Sequence, residues 1–531
     1  MPRVCNLHCT DLNTQETSMI PTHQNLGLRT TLRHWVIACT VAWAGVSPAV
    51  GGAEAVATDA TSLTAQQVQE DVQVLLDALK TLHPALTKYR SAAEMETAFS
   101  RFEARGRAAR NAGELYLAAT EVAAAIRCGH TWTNWRNQQG AARATLLDQQ
   151  DKLPVTLSLV EGRWVVLASA DPAVRPGEEV VSINGMTTPA HIARLMPYLR
   201  ADGSSDGKRL RQLSHDRPDL SQVDLLLPLL SSPVGGRYRL TLRTSQGVSR
   251  TVLVEALTLQ DRTKALLAQG VQPPSEAWTF AIREGVGYLV LRTFSFWNDK
   301  FDWASFLDEA FSRLQAEQIR HLVIDLRANE GGNAAIGNQL LSHLIRQPLG
   351  YLPSQSVTNY ERVPDRLRKV LDTWDSSFFD RTGDVEPIAS GTARGKFQVK
   401  SRPMVPRFIS PAATPFAGHT LVLVGAENSS ATFVLADLLK RSGVATLIGQ
   451  ATGGNQRGLN GGQLAWVRLP HSGVAVDIPL LAAHYDASTP DTSVPPDIAV
   501  TPRFAARVAG VDQEMEAAKT LIAARKSLVA Q

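Results

Sequence analysis

Cysteine is scarce in this chain. Cys5, Cys9, Cys39 and Cys128 are the only four in 531 residues. No two are spaced as Cys-x-x-Cys, which excludes zinc-ribbon and thioredoxin-type chemistry. Blocks of like charge are missing too. Lys+Arg 54 against Asp+Glu 50 leaves +4, spread along the whole length, which excludes a polybasic arm for nucleic acid or anionic lipid. Glycine (37) and proline (28) stand near average usage, so the chain is neither collagen-like nor dominated by linkers. It carries no internal repeat and no low-complexity run. What it does have is 44% hydrophobic and 20% charged residues, a globular composition, over a length that predicts roughly three domains.

From Trp35 to Ala53 there is no charged residue, and Arg29, Arg33 and His34 precede that run. It leaves through small residues, Val50-Gly51-Gly52-Ala53-Glu54-Ala55. A basic lead, an apolar run and an A-x-A exit read as an export signal. Residues 1–55 are therefore expected to be a signal peptide, with 1–18 an upstream extension ahead of Met19, and the product to be exported, periplasmic or secreted. Two alternatives stand beside this. A retained membrane anchor is opposed by Pro48 and the polar residues in the run. A lipoprotein box at Val36-Ile37-Ala38-Cys39 has only a few apolar residues before it. Cleavage near residue 55 leaves Cys128 alone, so disulfides do not hold the fold. A lone cysteine reads as a buried apolar residue, with a nucleophile as the other reading.

Residues 61–150 read as a helical domain. Val68, Val72, Leu75, Leu76, Leu79 and Leu82 recur at three- and four-residue intervals, Thr64 can cap the start, and Pro84 follows the end. Further helices are predicted over Ala93–Ala108 and Ala112–Ile126, the last leading into Arg127-Cys128-Gly129-His130. Residues 151–260 turn β-rich, with short runs at 155–160, 164–167 and 237–244 and an Asn184-Gly185 turn. Residues 275–505 alternate apolar strands with helices, the pattern of a mostly parallel α/β sheet. The stretch 353–415, irregular and rich in proline and arginine, reads as an insertion or lid. A C-terminal helix is expected over 506–531.

Three local features carry chemistry. Asp325-Leu326-Arg327-Ala328-Asn329-Glu330-Gly331-Gly332-Asn333 follows an apolar strand. Sites in parallel sheets form beyond the carboxyl ends of strands, and adjacent glycines let backbone N–H groups face an oxyanion. A plain strand-to-helix turn is the other reading. Ser430, after Val424-Gly425-Ala426-Glu427-Asn428-Ser429, stands where a helix begins. A serine there is a cap, or a nucleophile whose next amide and helix dipole stabilise negative charge. Cys128-Gly129-His130-Thr131-Trp132 offers a histidine as base or as a structural residue, with His83 its competitor.

Taken together these stretches resemble peptidase family S41, the tail-specific or C-terminal-processing serine proteases, over about residues 61–502. The Asp-Leu-Arg-x-Asn-x-Gly-Gly stretch at 325–332 and Ser430-Ala431 match the family's core motifs. So do Ile448-Gly449-Gln450-Ala451-Thr452-Gly453-Gly454, the segment from Leu469 through Ile478-Pro479-Leu480, and Val494-Pro495-Pro496-Asp497-Ile498. Glu179–Gly185 is similar to part of the family's PDZ-like domain. The resemblance implies a multi-domain α/β fold: an N-terminal helical domain, a PDZ-like module at 151–260 and a ClpP/crotonase-like core at 275–505. One branch of the family uses a Ser–Lys dyad, but the lysine position here is Asn455. The other, similar to the tricorn protease core, uses a histidine in an Asp-Gly-His-Thr step, matched by Cys128-Gly129-His130-Thr131.

The resemblance thus implies Ser430 as nucleophile and His130 as base. Asp491 is the implied carboxylate, with Asp486 as runner-up, and amides of Gly331 or Gly332 and of Ala431 make the oxyanion hole. No metal or other cofactor is expected. Substrates are expected to be peptides or proteins, without nucleic acid, and with membrane contact only if the N-terminal segment is retained or lipidated. Removal of the PDZ-like module is expected to alter substrate choice more than chemistry. The alternatives are an inactive peptide-binding scaffold and an ester hydrolase on the same fold.

Overall fold

The computed structural model describes residues 62–529 apart from 217–218, 273–275, 298, 392, 402–406 and 487. The expected signal peptide 1–55, its 1–18 extension and Cys5, Cys9 and Cys39 lie outside the described residues. Helix α1 (Ala65–Leu82) forms where the apolar spacing predicts it, and Val68, Val72, Leu75, Leu79 and Leu82 are fully buried. Thr64 caps it: its hydroxyl accepts the Gln67 N–H while the Gln67 side chain accepts the Thr64 N–H, satisfying two end amides at once. Helices α2 (Ala92–Ala108) and α3 (Ala112–Ala125) follow.

Strands β1 (Val155–Val160), β2 (Arg163–Ser169), β3 (Glu179–Ile183), β4 (Met186–Thr187), β5 (Arg237–Arg243) and β6 (Ser249–Glu255) form one antiparallel sheet. Its order is β1-β2-β3-β5-β6, with β4 on β3. Asn184 and Gly185, both at positive φ, make the β3–β4 turn, the conformation that two-residue hairpins require. The outer edge of β1 is met by the chain itself. Leu157 and His215 exchange both backbone hydrogen bonds, each 2.6 Å, and Leu159 N–H donates to Ser214 Oγ at 2.9 Å. That leaves neither amide free for strand addition. The segment expected as a domain at 61–150 and that at 151–260 share one continuous apolar core, in which Leu115, Ile126, Trp164 and Leu240 belong together. The reason is α3, which is buried on nearly every face and so must be covered from more than one side.

The second sheet contains β7 (Trp278–Arg283), β8 (Val286–Leu291), β9 (His321–Asp325), β10 (His419–Val424), β11 (Thr446–Gly449) and β12 (Ile498–Ala499). Its order is β12-β11-β10-β9-β8-β7, parallel throughout except for the β7–β8 hairpin. Helices α4 (Trp303–Ala316), α5 (Ala334–Ser342) and α6 (Ser430–Ser442) cover one face through Leu307, Leu340 and Leu435. Helix α7 (Gln513–Val529) covers the other through Ala518 and Ile522. Leu322 and Ile324 of β9 face the first layer and Val323 the second, which is why this strand reads as a continuous apolar run. Asp325 stands in register with Leu423 of β10 and Val290 of β8. The three strands therefore end together and release their loops at one edge.

The 353–415 stretch is not a free lid. Residues Gln355–Thr358 pair antiparallel with Ala482–His484, and Tyr360, Val363, Leu367 and Phe378 join the core shared with α1. Arg366 bonds both oxygens of Asp77 on α1, at 2.7 and 2.8 Å. No described helix is long and apolar enough to cross a membrane.

Candidate active site

At the common edge of the parallel strands, two buried asparagines tie three loops together. Asn428 Oδ1 accepts the Gly425 N–H at 2.8 Å, and its amide donates to the carbonyls of Leu326 (2.5 Å) and Asn329 (3.0 Å). Its own carbonyl accepts the N–H groups of Gly453 and Gly454. Asn329 donates to Leu291 O at 3.0 Å, while its Oδ1 accepts the Thr432 hydroxyl at 2.7 Å and the Gly331 N–H at 2.8 Å. Each side-chain nitrogen and oxygen of both residues is hydrogen-bonded, so the network is rigid. It holds Ser430 at φ 50°, a left-handed backbone that costs a non-glycine residue about 1–3 kcal/mol and persists only where its surroundings impose it.

The Ser430 hydroxyl does not cap its helix; the N-cap is Ser429. Ser430 Oγ instead lies 3.2 Å from His130 Nε2, across 300 residues of sequence. The imidazole rests on Gly461, where a Cβ would stand 2.3 Å from Nε2. Burial pulls the His130 pKa below its usual value of 6.5, with Arg200 and Lys208 acting the same way and Asp202 and Glu330 opposing. His130 is therefore neutral at pH 7 and can accept a proton. His83, the competing histidine, has both ring nitrogens occupied: Nε2 with Thr131 Oγ1 at 2.8 Å, and Nδ1 accepting the Ala85 N–H at 3.1 Å. Burial, with Lys396 and Lys88 nearby, pushes its pKa down to about 3. It supports the turn that carries His130.

A serine and a neutral histidine brought together beyond a parallel sheet fit the resemblance seen in the sequence, and residues 285–500 match the model of peptidase family S41. This stretch is a peptidase family S41 domain. Among solved structures the chain is similar to mature CPAF, with 15% identity and a TM-score of 0.55 over 86% of this chain and 97% of that one. It is also similar to mature CPAF complexed with lactacystin, with 15% identity and a TM-score of 0.56 over 88% and 99%. At this identity the likeness speaks for the fold. Among curated proteins nothing matches.

Within the S41 domain the glycine pair divides its labour. Gly331, expected as a possible oxyanion donor, has its N–H engaged by Asn329 Oδ1. Its role is space: at φ 114°, a Cβ there would stand 2.7 Å from Ser430 Cβ. The N–H groups of Gly332 and Ala431 make no hydrogen bond among the described residues, which leaves them as the donors beside Ser430. Gly332 also needs to be glycine, since a Cβ would stand 2.2 Å from the Phe294 carbonyl carbon. Asn329 two residues ahead of Gly331 is the sequence signal for this side-chain-to-backbone turn.

The structure does not bring Asp491 to His130. Asp491 Oδ1 accepts the Ser204 N–H at 2.9 Å and the Asn455 amide at 2.6 Å, while His130 Nδ1 is buried without a hydrogen-bond partner. Asp486 is exposed and caps its own turn through Ser488. Asn455, at the lysine position of the dyad branch, is fully buried. Cys128 is a buried free thiol that accepts the Asn460 amide at 3.4 Å; burial raises its pKa, the opposite of an activated thiol.

A cavity of about 150 Å³ opens over the pair, lined among others by Gly332, Arg200, Asp202, Lys208 and Glu330. Burial alone would raise the Glu330 pKa, yet Lys208 and Arg200 hold its carboxyl well below the usual carboxylate range. Arg200, Asp202 and Lys208 come from residues 199–208, an excursion of the β-rich segment between β4 and β5. Nothing in the sequence marked that excursion as part of the site.

Proposed function

We propose that the protein is an exported serine-type peptidase that cleaves peptide or protein substrates through an acyl-enzyme. The observation that carries this reading is the 3.2 Å approach of His130 Nε2 to Ser430 Oγ, beside two amides without acceptors. Ser430 Oγ attacks the scissile carbonyl carbon as its proton passes to His130 Nε2. The amides of Gly332 and Ala431 hold the oxyanion, and each such donor is worth about 2.7–4 kcal/mol of barrier. As the C–N bond breaks, the imidazolium returns the proton to the leaving amine. Water then enters with His130 again as base, and the acid product and free Ser430 are restored. Export is supported by the charge-free run with its basic lead.

The test is labelling by a fluorophosphonate, together with a cleavage profile on a peptide library, using the chain without residues 1–55. Labelling and cleavage that both vanish in Ser430→Ala support the reading. A folded protein that neither labels nor cleaves would favour the scaffold reading instead. N-terminal sequencing of material from the native host checks export; a chain that still begins at Met1 or Met19 would count against it.

A further inference from the structure

The turn that presents His130 is gripped from behind. Gly129 has both peptide groups occupied: its N–H donates to Asp202 Oδ1 at 2.8 Å, and its carbonyl accepts from Arg200 Nη1 at 2.5 Å. The carboxylate fills the space a side chain at 129 would need, since a Cβ there would stand 2.5 Å from Asp202 Oδ2. Two residues earlier, Gly203 N–H donates to Arg127 O and Arg127 Nη1 to Gly203 O, each at 2.9 Å. Arg200 also lies over Trp132, its guanidinium carbon 3.9 Å from the ring centre. Residues 127–132 and 200–203 are thus laced along their length. The excursion is anchored on its far side by Asp491 and Asn455, through Ser204, and by the Ser205 hydroxyl on Gly454 O at 2.7 Å.

Asp202 itself is costly. It is only 1% exposed and forms no ion pair among the described residues. A buried carboxylate that no cation touches, with Lys88 acting on it only through space, is unfavourable and asks for a reason. Four charged groups act on His130: Asp202, Glu330, Arg200 and Lys208. Glu330 is ion-paired with both cations, whereas Asp202 makes its contact with the turn that carries the ring, through the Gly129 N–H.

We propose that Asp202 is the positioning carboxylate of this site, fixing through Gly129 the turn that aims His130 at Ser430 and stabilising with its charge the positive charge that the ring gains in the reaction. This rests on the reading of Ser430 as nucleophile and His130 as base. It gives the β-rich segment a direct part in the chemistry. The expectation that its removal would chiefly alter substrate choice therefore does not fit this geometry.

Asp202→Asn tests it. The amide oxygen still accepts the Gly129 N–H while the charge is lost. Expected are a Tm near that of wild type, a KM changed little, and a kcat lower by roughly ten- to a hundredfold. The acid limb of the pH profile should move down by roughly one unit, because Asp202 raises the His130 pKa. Asp202→Ser removes the same charge in less space, should the amide not be accommodated, and is expected to shift the limb in the same direction. A role confined to the fold would lower Tm and leave the pH profile in place, which would overturn the assignment. So would an Asp202→Asn protein with wild-type kcat and pH profile. If wild type itself fails to label at Ser430, with Ser430→Ala as the blank, the Ser–His reading falls, and this one with it.

Discussion

Replacing Gly461 by alanine separates the placement of the base from the stability of the fold. A Cβ at 461 would stand 2.3 Å from His130 Nε2, 2.6 Å from Cδ2 and 2.7 Å from Cε1. Ordinary contact between such atoms lies near 3.5 Å, so the ring must retreat by roughly 1 Å. Gly461 is not at positive φ, so the new side chain brings no backbone strain. The atoms in its way are the tip of one side chain, which can turn aside cheaply. The retreat nevertheless breaks the 3.2 Å contact with Ser430. A misplacement of about 1 Å costs on the order of a hundredfold in rate, about 2.7 kcal/mol of barrier. Gly461→Ala should therefore show a Tm within about 2 °C of wild type and a rate of fluorophosphonate labelling at Ser430 lowered about a hundredfold. Stopped-assay labelling and a thermal melt of the same preparation read the two quantities. Near-wild-type labelling in a folded Gly461→Ala protein would refute the reasoning, because Ser430 would then be activated without the ring where it stands.

Ser430→Ala and His130→Ala should each lose several orders of magnitude in peptide turnover and by similar amounts, since members of one unit are not additive. Asn455→Ala, whose side chain bonds Asp491 and the Arg457 N–H but not His130 or Ser430, should cost far less; the reverse ranking in steady-state kinetics would sink the assignment of the base. Turnover should fall as His130 becomes protonated. Because burial depresses its pKa below 6.5, the acid limb of kcat/KM should lie below pH 6.5 with a plateau at neutral pH; a limb above 7 would contradict this. His83→Ala should cost about 3 kcal/mol of stability, from the cavity and the two polar groups left unpaired, as read by denaturant unfolding. In wild type, His83 is held neutral with its pKa at about 3. The stability it contributes is present above the unfolded value of about 6.5 and is lost as pH falls toward 3; an unfolding free energy that rises over that interval in wild type relative to His83→Ala would be inconsistent.

Much of the fold and half of the site were legible along the chain because they depend on neighbours in sequence. The spacing of Val68, Val72, Leu75 and Leu79 requires a helix buried on one side, and Thr64 with Gln67 marks its start. The unbroken apolar run from Leu322 to Ile324 requires a strand covered on both faces. Ser430 at a strand-to-helix turn and the Gly331–Gly332 pair are likewise local signals, and Asn455 leaves the dyad branch's position without its lysine. What tertiary structure decided is which distant groups meet. His83 and His130 compete by residue pattern and the resemblance points to His130; the packing of Thr131 and Ala85 around one ring and of Gly461 beneath the other then shows a supporting histidine and one facing Ser430. Of the two glycines expected as oxyanion donors, Gly332 keeps the free N–H, because Asn329 folds back on the Gly331 amide. Asp491 lies in the neighbourhood the family pattern suggests, yet its carboxylate is taken up by Ser204 and Asn455. Asp202 had no signature at all. A carboxylate acquires a role beside a base only when burial removes water and a fold places it there, and neither condition is written in the residues around position 202.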